Sequence, residues 1–453
     1  MAVPTILVNS STGSDSAASG AGPSTALTGS AGVSTGTTVV LDGSPNLAGV
    51  ATDGSHVLWF NDTTAGNRNF VAITGTANSG TPTAQVTVAL ALAVTTKAWA
   101  IGGKRASVYG SLRLVDNNGS DADAQAGWTV QMESGHTETF GGRLDVRVSG
   151  TTVGAFTLQG DPAASVTPVI TTPNDIVPRQ NFQAYKYFSI VGSGGSANGF
   201  ISLAGYIRYE SLTFSSFSGG ISLDLSGGGN DQVINCTFTA NAHAISVSQD
   251  TQIIGNYCVS QTGSAIKCNT QPLTGLLIYD NLITGAGAEG IQLDQSRSDL
   301  YAGVHIIANT IDSCTADGIK YVSTANGAGN SEGALCVINN ILSNNGGYGL
   351  NVDSTLAAAN SRGIVVRSND TYNNSSGAYS PTGLGVGDPA TNPAYVGSGN
   401  YTPTASALKG AAIPLSLNGA TNYQWIGAIQ ALALILAILG VTIQEPVIGS
   451  NTF

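Results

Sequence analysis

Between Ser211 and Tyr379 the chain repeats itself, in units whose internal pattern is fixed and whose length is not. The units read SLTFSSFSGGISLDL, NCTFTANAHAISVSQ, NYCVSQTGSAIKCNT, NLITGAGAEGIQLDQ, NTIDSCTADGIKYVS and NILSNNGGYGLNVDS, with a weaker seventh, NDTYNNSSGAY. Nine residues after the start of each comes a small residue: Gly220, Ala244, Ala265, Gly290, Gly318, Gly349 and Ala378. The next position is aliphatic in six units: Ile221, Ile245, Ile266, Ile291, Ile319 and Leu350. Successive small residues lie 21 to 31 residues apart. A fixed pattern on a variable step is what stacked coils with loops of differing length produce.

Inside each unit the period is two. In GISLDL, GIQLDQ and GLNVDS apolar and polar positions alternate, so each unit contributes a short strand with one face inward. No stretch of helical length separates one strand from the next, which excludes βαβ crossovers. The expectation is an all-β chain: a right-handed parallel β-helix in which residues 211 to 379 form seven coils and the six aliphatic residues stack as one interior column. Asn235, Asn256, Asn281, Asn309, Asn340 and Asn369 are expected to stack at the turns. Asparagine tolerates left-handed backbone, and its amide bonds to the amide of the next coil.

Composition narrows the function classes. Only 9% of the 453 residues are charged, against about 25% in an ordinary domain, which excludes a long coiled coil or a charge-laced helical array. A hydrophobic fraction of 42% suffices for a large core, so the chain is not disordered. The net charge of −11 and the absence of any basic run argue against a nucleic-acid partner. The cysteines Cys236, Cys258, Cys268, Cys314 and Cys336 are odd in number and form no CxxC pair, so they read as small buried apolar residues. No metal spacing appears among His56, His136, His243 and His305, and no cofactor is expected. The opening MAVPTILVNSSTGSDS lacks the charged and apolar regions of a secretory signal, so exit by lysis or virion assembly is expected for a protein working outside a cell.

The Asn-turn and Gly-Ile pattern resembles the right-handed parallel β-helix proteins of the pectate-lyase-like superfamily, phage tailspikes and other virion appendages among them. NPAYVGSGNYTPTASALKGAA from Asn392, followed by WIGAIQ at Trp425, is similar to the way many such proteins close their last coils. KAWAIGGKRASV (Lys97 to Val108) and GWTVQMESGHTETF (Gly127 to Phe140) resemble the entry to the solenoid in phage-type members. The resemblance covers Ala106 to Gln430 and is specific for fold, because the same solenoid hosts lyases, hydrolases and inert structural proteins.

Three regions follow. Residues 1–103 read as a polar arm and a small β-domain, with TVVLDGSP, HVLWFNDTT, NFVAITGT and AQVTVALAL as short strands between turn signals. By analogy with the appendages the chain resembles, this is an attachment module for a capsid or tail protein. Residues 104–430 are the β-helix. Residues 431–453 form an apolar tail whose run Ala431 to Val441 is shorter than the roughly 20 residues of a membrane span, so a capping or oligomerisation role is expected and a membrane partner is not.

Polysaccharide lyases and hydrolases of the resembled family carry acidic residues, often with a basic one, on one solenoid face. Four positions after the small residue the units read Asp224, Ser248, Asn269, Asp294, Val322 and Asp353, and two positions earlier Ser222, Ser246, Lys267, Gln292, Lys320 and Asn351. Both positions are expected to face outward. Asp294 and Asp353, two coils or about 10 Å apart, are the candidate catalytic pair. Lys267, Gln292 and Lys320 are candidate carbohydrate contacts. Tyr301, Tyr321, Tyr348 and Tyr372 are candidates to stack on sugars. The leading expectation is a non-enzymatic phage structural protein in the virion: a spike, fibre or head-decoration subunit, homotrimeric, touching a host surface polysaccharide. The alternatives are a tailspike polysaccharide depolymerase, glycosidase or lyase, using Asp294 and Asp353, and a β-helix adhesin on a bacterial surface.

Overall fold

The computed structural model describes residues 5–11 and, between 27 and 412 and at 427, the chain apart from internal stretches, the longest being 61–69, 90–96, 113–126, 296–302, 324–334 and 353–363. From Thr129 onward each coil lays down one strand in each of three parallel sheets. In the first coil these are Thr129–Met132, Thr137–Thr139 and Leu144–Val146, and they open the first, second and third sheets respectively. Ten coils follow this order and end with Ile364–Arg367, Asp370–Tyr372 and Gly377–Ser380. This is the expected right-handed parallel β-helix.

The interior is built from columns, because parallel pairing in register repeats the same inward position at every coil. Leu158, Tyr185, Tyr209, Val233, Ile253, Ile278, Ile306, Val337 and Val366 form the first-sheet column. In the second sheet Phe214 stacks on Phe238 with ring centroids 4.9 Å apart. The third-sheet column runs Phe200, Leu223, Ile245, Ile266, Ile291, Ile319, Leu350 and Tyr379. Leu223, not Ile221, therefore occupies the expected column. The turn from Phe217 to Leu223 is two residues longer than the one from Asn241 to Ile245, and that moves Ile221 opposite His243. The small residue before the column is required by close approach. A Cβ on Gly290 would overlap the Ile311 side chain and lie 2.7 Å from the Gly318 carbonyl oxygen of the next coil.

The asparagine ladder is present with one substitution. Asn256, Asn281, Asn309, Asn340 and Asn369 are buried, and each Nδ2 donates to the Oδ1 of the next at 2.9 to 3.0 Å. Asn235 is not a member. It takes the left-handed turn position (φ 52°), where the next coils place Gly255, Asp280, Ala308 and Asn339, and Cys236 enters the ladder instead, donating its N–H to Asn256 Oδ1 at 2.9 Å. Asp388 caps the far end by accepting the Asn369 N–H at 2.9 Å.

Both ends of the solenoid are covered. At the start, Thr5–Val8 pairs parallel with Thr129–Met132, and Lys104–Arg105 pairs outside it. The first strand of the expected arm is thus a solenoid strand, placed there because its alternation of Ile6 and Val8 extends the interior columns. Between these strands the chain forms a closed antiparallel barrel of six: Leu27–Thr35, Thr38–Leu41, Val57–Phe60, Phe70–Ala77, Gln85–Val88 and Lys97–Ile101. KAWAI thus closes the barrel rather than opening the solenoid. Its core includes Trp99, whose Nε1 donates to Asp42 Oδ1 at 2.6 Å. Where the chain leaves the solenoid, the Ser10 N–H donates to His136 Nδ1 at 3.0 Å; where it returns, the Val108 N–H donates to Glu138 Oε2 at 2.5 Å. His136 and Glu138 are themselves 3.3 Å apart.

At the other end Val386 bridges Arg367, and the segment from Asn392 folds back along the side. Its hairpin, Tyr395–Gly397 and Asn400–Pro403, lies on the outer face of the second sheet, with Tyr401 Oη 2.8 Å from Thr284 Oγ1 and Tyr395 Oη 2.8 Å from Ser343 Oγ. Leu408 and Ala412 pack on Ile341, and the Gly427 N–H donates to the Asn339 carbonyl at 2.8 Å. The apolar tail from Ala431 lies outside the described residues. Among those described, no helix is long and apolar enough to cross a membrane.

Candidate functional site

The C-terminal segment occupies the outer face of the second sheet, while the third sheet carries a polar outer face over consecutive coils. Register makes one row of Asp224, Ser246, Lys267, Gln292, Lys320, Asn351 and Ser380. Lys267, Gln292 and Lys320 thus stand on three successive coils, as their spacing implied. Asp224 enters this row because of the two-residue offset in its unit, and Ser222 is buried instead.

A second row lies beside it, two residues before the interior column: His243, Ser264, Glu289, Asp317 and Tyr348. The bend at the small residue turns these side chains toward the first row. Glu289 Oε1 accepts from Lys320 Nζ at 3.1 Å, and Glu289 Oε2 lies 3.0 Å from Ser264 Oγ. Ser264 Oγ is also 2.9 Å from Gln292 Oε1, so its single proton serves one of the two. Asp317 Oδ1 accepts the Tyr348 N–H at 2.6 Å, and Asp317 Oδ2 accepts from Asn351 Nδ2 at 2.9 Å. His243 Nδ1 lies 2.9 Å from the Ser264 carbonyl oxygen. The bonds form two groups, His243 to Lys320 and Asp317 to Asn351, which together span four coil steps, about 19 Å at about 4.8 Å per step.

Electrostatics fix the protonation of this face. Burial pushes the Glu289 carboxyl up, but the Lys320 hydrogen bond, those of its own backbone N–H and Ser264, and the Lys320 charge outweigh it and hold the group below its ordinary value. Glu289 is therefore ionised at neutral pH and is an acceptor, not a general acid. Burial pulls the half-buried Lys267 ammonium below the usual lysine range, against the opposing charge of Asp224. Burial also pulls His243 down, with help from Lys267 and against its bond to Ser264. Lys267, Gln292, Lys320 and Asn351 are the half-exposed groups of this face, and Ser264, Glu289 and Asp317 are buried behind them and hold Gln292, Lys320 and Asn351 in place.

Glu289 and Asp317 were missed by counting forward from the small residues. The signal was one position before them, in AEGI and ADGI, where an acidic residue precedes the glycine. Asp294 lies in the strand Ile291–Gln295 opposite Asn269 and Val322, but its side chain and all of Asp353 lie outside the described residues, as does Tyr301. Tyr321 is buried in the column between Leu293 and Val352, so it is no sugar platform; the two-residue alternation points it inward. Tyr348 and Tyr372 are half-buried. Of the cysteines, Cys236, Cys258, Cys268 and Cys314 are buried, and burial pushes the Cys236 and Cys314 thiols up to about 12. Among the described residues no group of three His, Cys, Asp or Glu is placed to hold a metal ion.

Comparison with protein-family models and with curated proteins finds no match. Among solved structures the chain is similar to the pectate lyase Pel9A, at 12% identity and a TM-score of 0.49 over 68% of this chain and 88% of that one. It is also similar to the catalytic domain of a GH87 alpha-1,3-glucanase in complex with nigerose, at 11% identity and a TM-score of 0.31 over 84% of this chain and 94% of that one. At these identities the likeness is one of fold, and function is argued from this chain's own residues.

Proposed function

We propose that this chain is a non-enzymatic, β-helical structural subunit of a phage virion, a spike, fibre or head-decoration protein, whose third-sheet outer face binds a surface polysaccharide. The observation that carries the reading is the half-exposed row Lys267, Gln292, Lys320 and Asn351, three of whose members are held from behind by the buried Ser264, Glu289 and Asp317. Its donors and acceptors repeat every coil and are already held in place, so binding a sugar strand costs little side-chain entropy. The ionised Glu289 is buried with both oxygens engaged by Lys320 and Ser264, which suits holding Lys320 in place better than protonating a leaving group. The barrel mounted at the first coil and the polar arm serve attachment to a capsid or tail protein, and the apolar tail joins three copies. The test is binding without turnover. Purified protein mixed with host capsule or O-antigen should bind the polymer yet release no reducing ends and no unsaturated uronates. Failure to bind any host surface glycan sinks the reading.

The second reading is a polysaccharide depolymerase. What favours it is that Glu289 and Asp317 hold equivalent positions on adjacent coils, which sets two acids side by side on one face, the residue types that glycoside hydrolysis uses. Steady product release abolished by Glu289→Gln, Asp317→Asn, Asp294→Asn or Asp353→Asn would promote it.

A further inference from the structure

At the start of the third sheet, three arginines converge on one carboxylate. Arg143 Nε and Arg179 Nε each lie 3.0 Å from Asp145 Oδ1, and Arg147 Nη2 lies 3.9 Å from Asp145 Oδ2. Arg143 and Arg147 stand immediately before and after the strand Leu144–Val146 that carries Asp145, and Arg179 immediately follows the next coil's strand, Ile176–Pro178, which is paired with it. The chain has 16 Lys and Arg in 453 residues and a net charge of −11, so three arginines about one acid are a local reversal of sign. The cluster is two units positive. Its side chains are 43%, 45% and 36% exposed at Arg143, Arg147 and Arg179, against 29% at Asp145. Arg143 and Arg179 use Nε on Asp145, and their terminal Nη groups have no partner among the described residues. Asp145 thus splints two guanidinium planes and leaves their paired N–H edges for a second anion. Beside Arg143 a recess of about 370 Å³, walled by Ser107, Thr139, Gly141 and Gly142, provides room for a ring attached to that anion. Glu138 at its wall is already engaged by the Val108 N–H and His136.

We infer that the Arg143–Arg147–Arg179 cluster is a binding site for the acid groups, carboxylate or sulfate, of an anionic polysaccharide. It lies on the same sheet as Lys267, five coils away, about 24 Å at about 4.8 Å per coil, so one polymer strand along the axis reaches both. The inference deepens the proposed glycan-binding role and rests on it for the class of ligand, while the site is separate.

Electrophoresis of the full chain through gels containing polygalacturonate, dextran sulfate or neutral dextran, each normalised to a polymer-free gel, tests it. Wild-type protein is expected to be retarded by one or both acidic polymers at about 50 mM salt and not by dextran, with retardation fading toward 0.5 M salt as the charges are screened. The acidic polymer that retards identifies the acid group. Arg143→Gln/Arg147→Gln/Arg179→Gln is expected to lose about tenfold or more in apparent affinity. Arg147→Gln alone, which breaks no contact shorter than 3.9 Å and so spares the fold, is expected to lose severalfold. Lys267→Gln/Lys320→Gln separates the two sites. If only the lysine pair removes retardation, this inference falls and the third-sheet site stands. If only the arginine variants remove it, the cluster stands as the site for acidic polymers and the Lys267–Lys320 row is shown not to hold them, leaving its binding of neutral host glycans to the test above. Equal retardation by acidic and neutral gels, or none, overturns the inference.

Discussion

Asn340 Oδ1 accepts two hydrogen bonds from Asn309, one from the backbone N–H at 2.9 Å and one from Nδ2 at 3.0 Å. Asn309 Nδ2 also donates to the carbonyls of Ile278 and Ile307, at 2.9 and 3.1 Å. Asn281 and Asn340 are bonded in the same way on both sides. Asn309→Ala therefore strips the acceptor from the Asn281 N–H and Nδ2 and removes the side-chain donor from the Ile278 carbonyl, while the Ile307 carbonyl keeps the Asp280 N–H. At about 1 to 3 kcal/mol for each orphaned group, the loss is expected to reach about 3 kcal/mol or more, read as a lower urea midpoint. An Asn309→Ala midpoint within error of wild type contradicts this.

Ile291 is fully buried between Ile266 and Ile319. Ile291→Val is expected to cost about 0.5 to 1.5 kcal/mol, while Ile291→Asp buries an unpaired charge and unfolds the adjoining coils. Because each coil touches only its neighbours, hydrogen exchange in the aspartate variant should rise around residues 245 to 320 before it rises at the barrel.

Asp231 is fully buried, accepting the Ile207 N–H at 2.9 Å and the Ser202 hydroxyl at 3.1 Å. Burial pushes its carboxyl up to about 7, against the bonds from Ile207 and Ser202. In the unfolded chain it titrates near 4, so between about pH 4 and 7 the folded state holds the extra proton. Its stabilising contribution is full below about pH 4 and is lost as pH rises through about 7. Asp231→Asn is expected to raise the melting temperature at pH 8 and to flatten the pH profile between 4 and 7 relative to wild type. A parallel profile in the two proteins would refute this assignment.

Lys320→Gln removes the partner of Glu289 in a half-buried pair. It is expected to weaken binding of the surface glycan about tenfold, about 1.4 kcal/mol, while Gln295→Ala, farther along the strand Ile291–Gln295, changes it little. Calorimetric titration with the host polymer measures both, and equal effects would place the glycan elsewhere.

Self-association is expected to reside in the tail. Light scattering should report three times 45.6 kDa for the full chain and a single-chain mass below 45.6 kDa for one ending at Gln430. Monomers in both samples rule out the trimer.

Period-two strands and the small-residue column were legible, because in-register stacking forces the same choice at every coil. What failed was counting across turns. Ile221 and Asn235 were misplaced because the turns around them differ by one or two residues, and a strand tolerates no fractional shift: one residue reverses the face. Thr5–Val8 was unreadable as a solenoid strand, since a strand of four residues does not reveal a partner more than 120 positions away. The arginine cluster was hidden for the same reason, with Arg179 brought to Asp145 by coil stacking rather than by sequence. Glu289 and Asp317 were readable one position before their glycines.

The barrel is joined to the solenoid through Thr5–Val8 and Lys104–Arg105, neighbouring parallel strands on the outermost rungs, with Ser10 pinned to His136, just before the strand Thr137–Thr139, and Val108 to Glu138 within it. Ladder hydrogen bonds run across these strands. A pull along the strand direction therefore loads all the bonds of Thr5–Val8 together, in shear, whereas a pull across it opens them one by one. Drag on a particle held by its barrel would be shared by two strands and two side-chain clasps. The joint behaves as a mechanical coupling with a preferred direction of load, and single-molecule stretching from opposite ends of the barrel and solenoid should rupture it at higher force along the strands than across them.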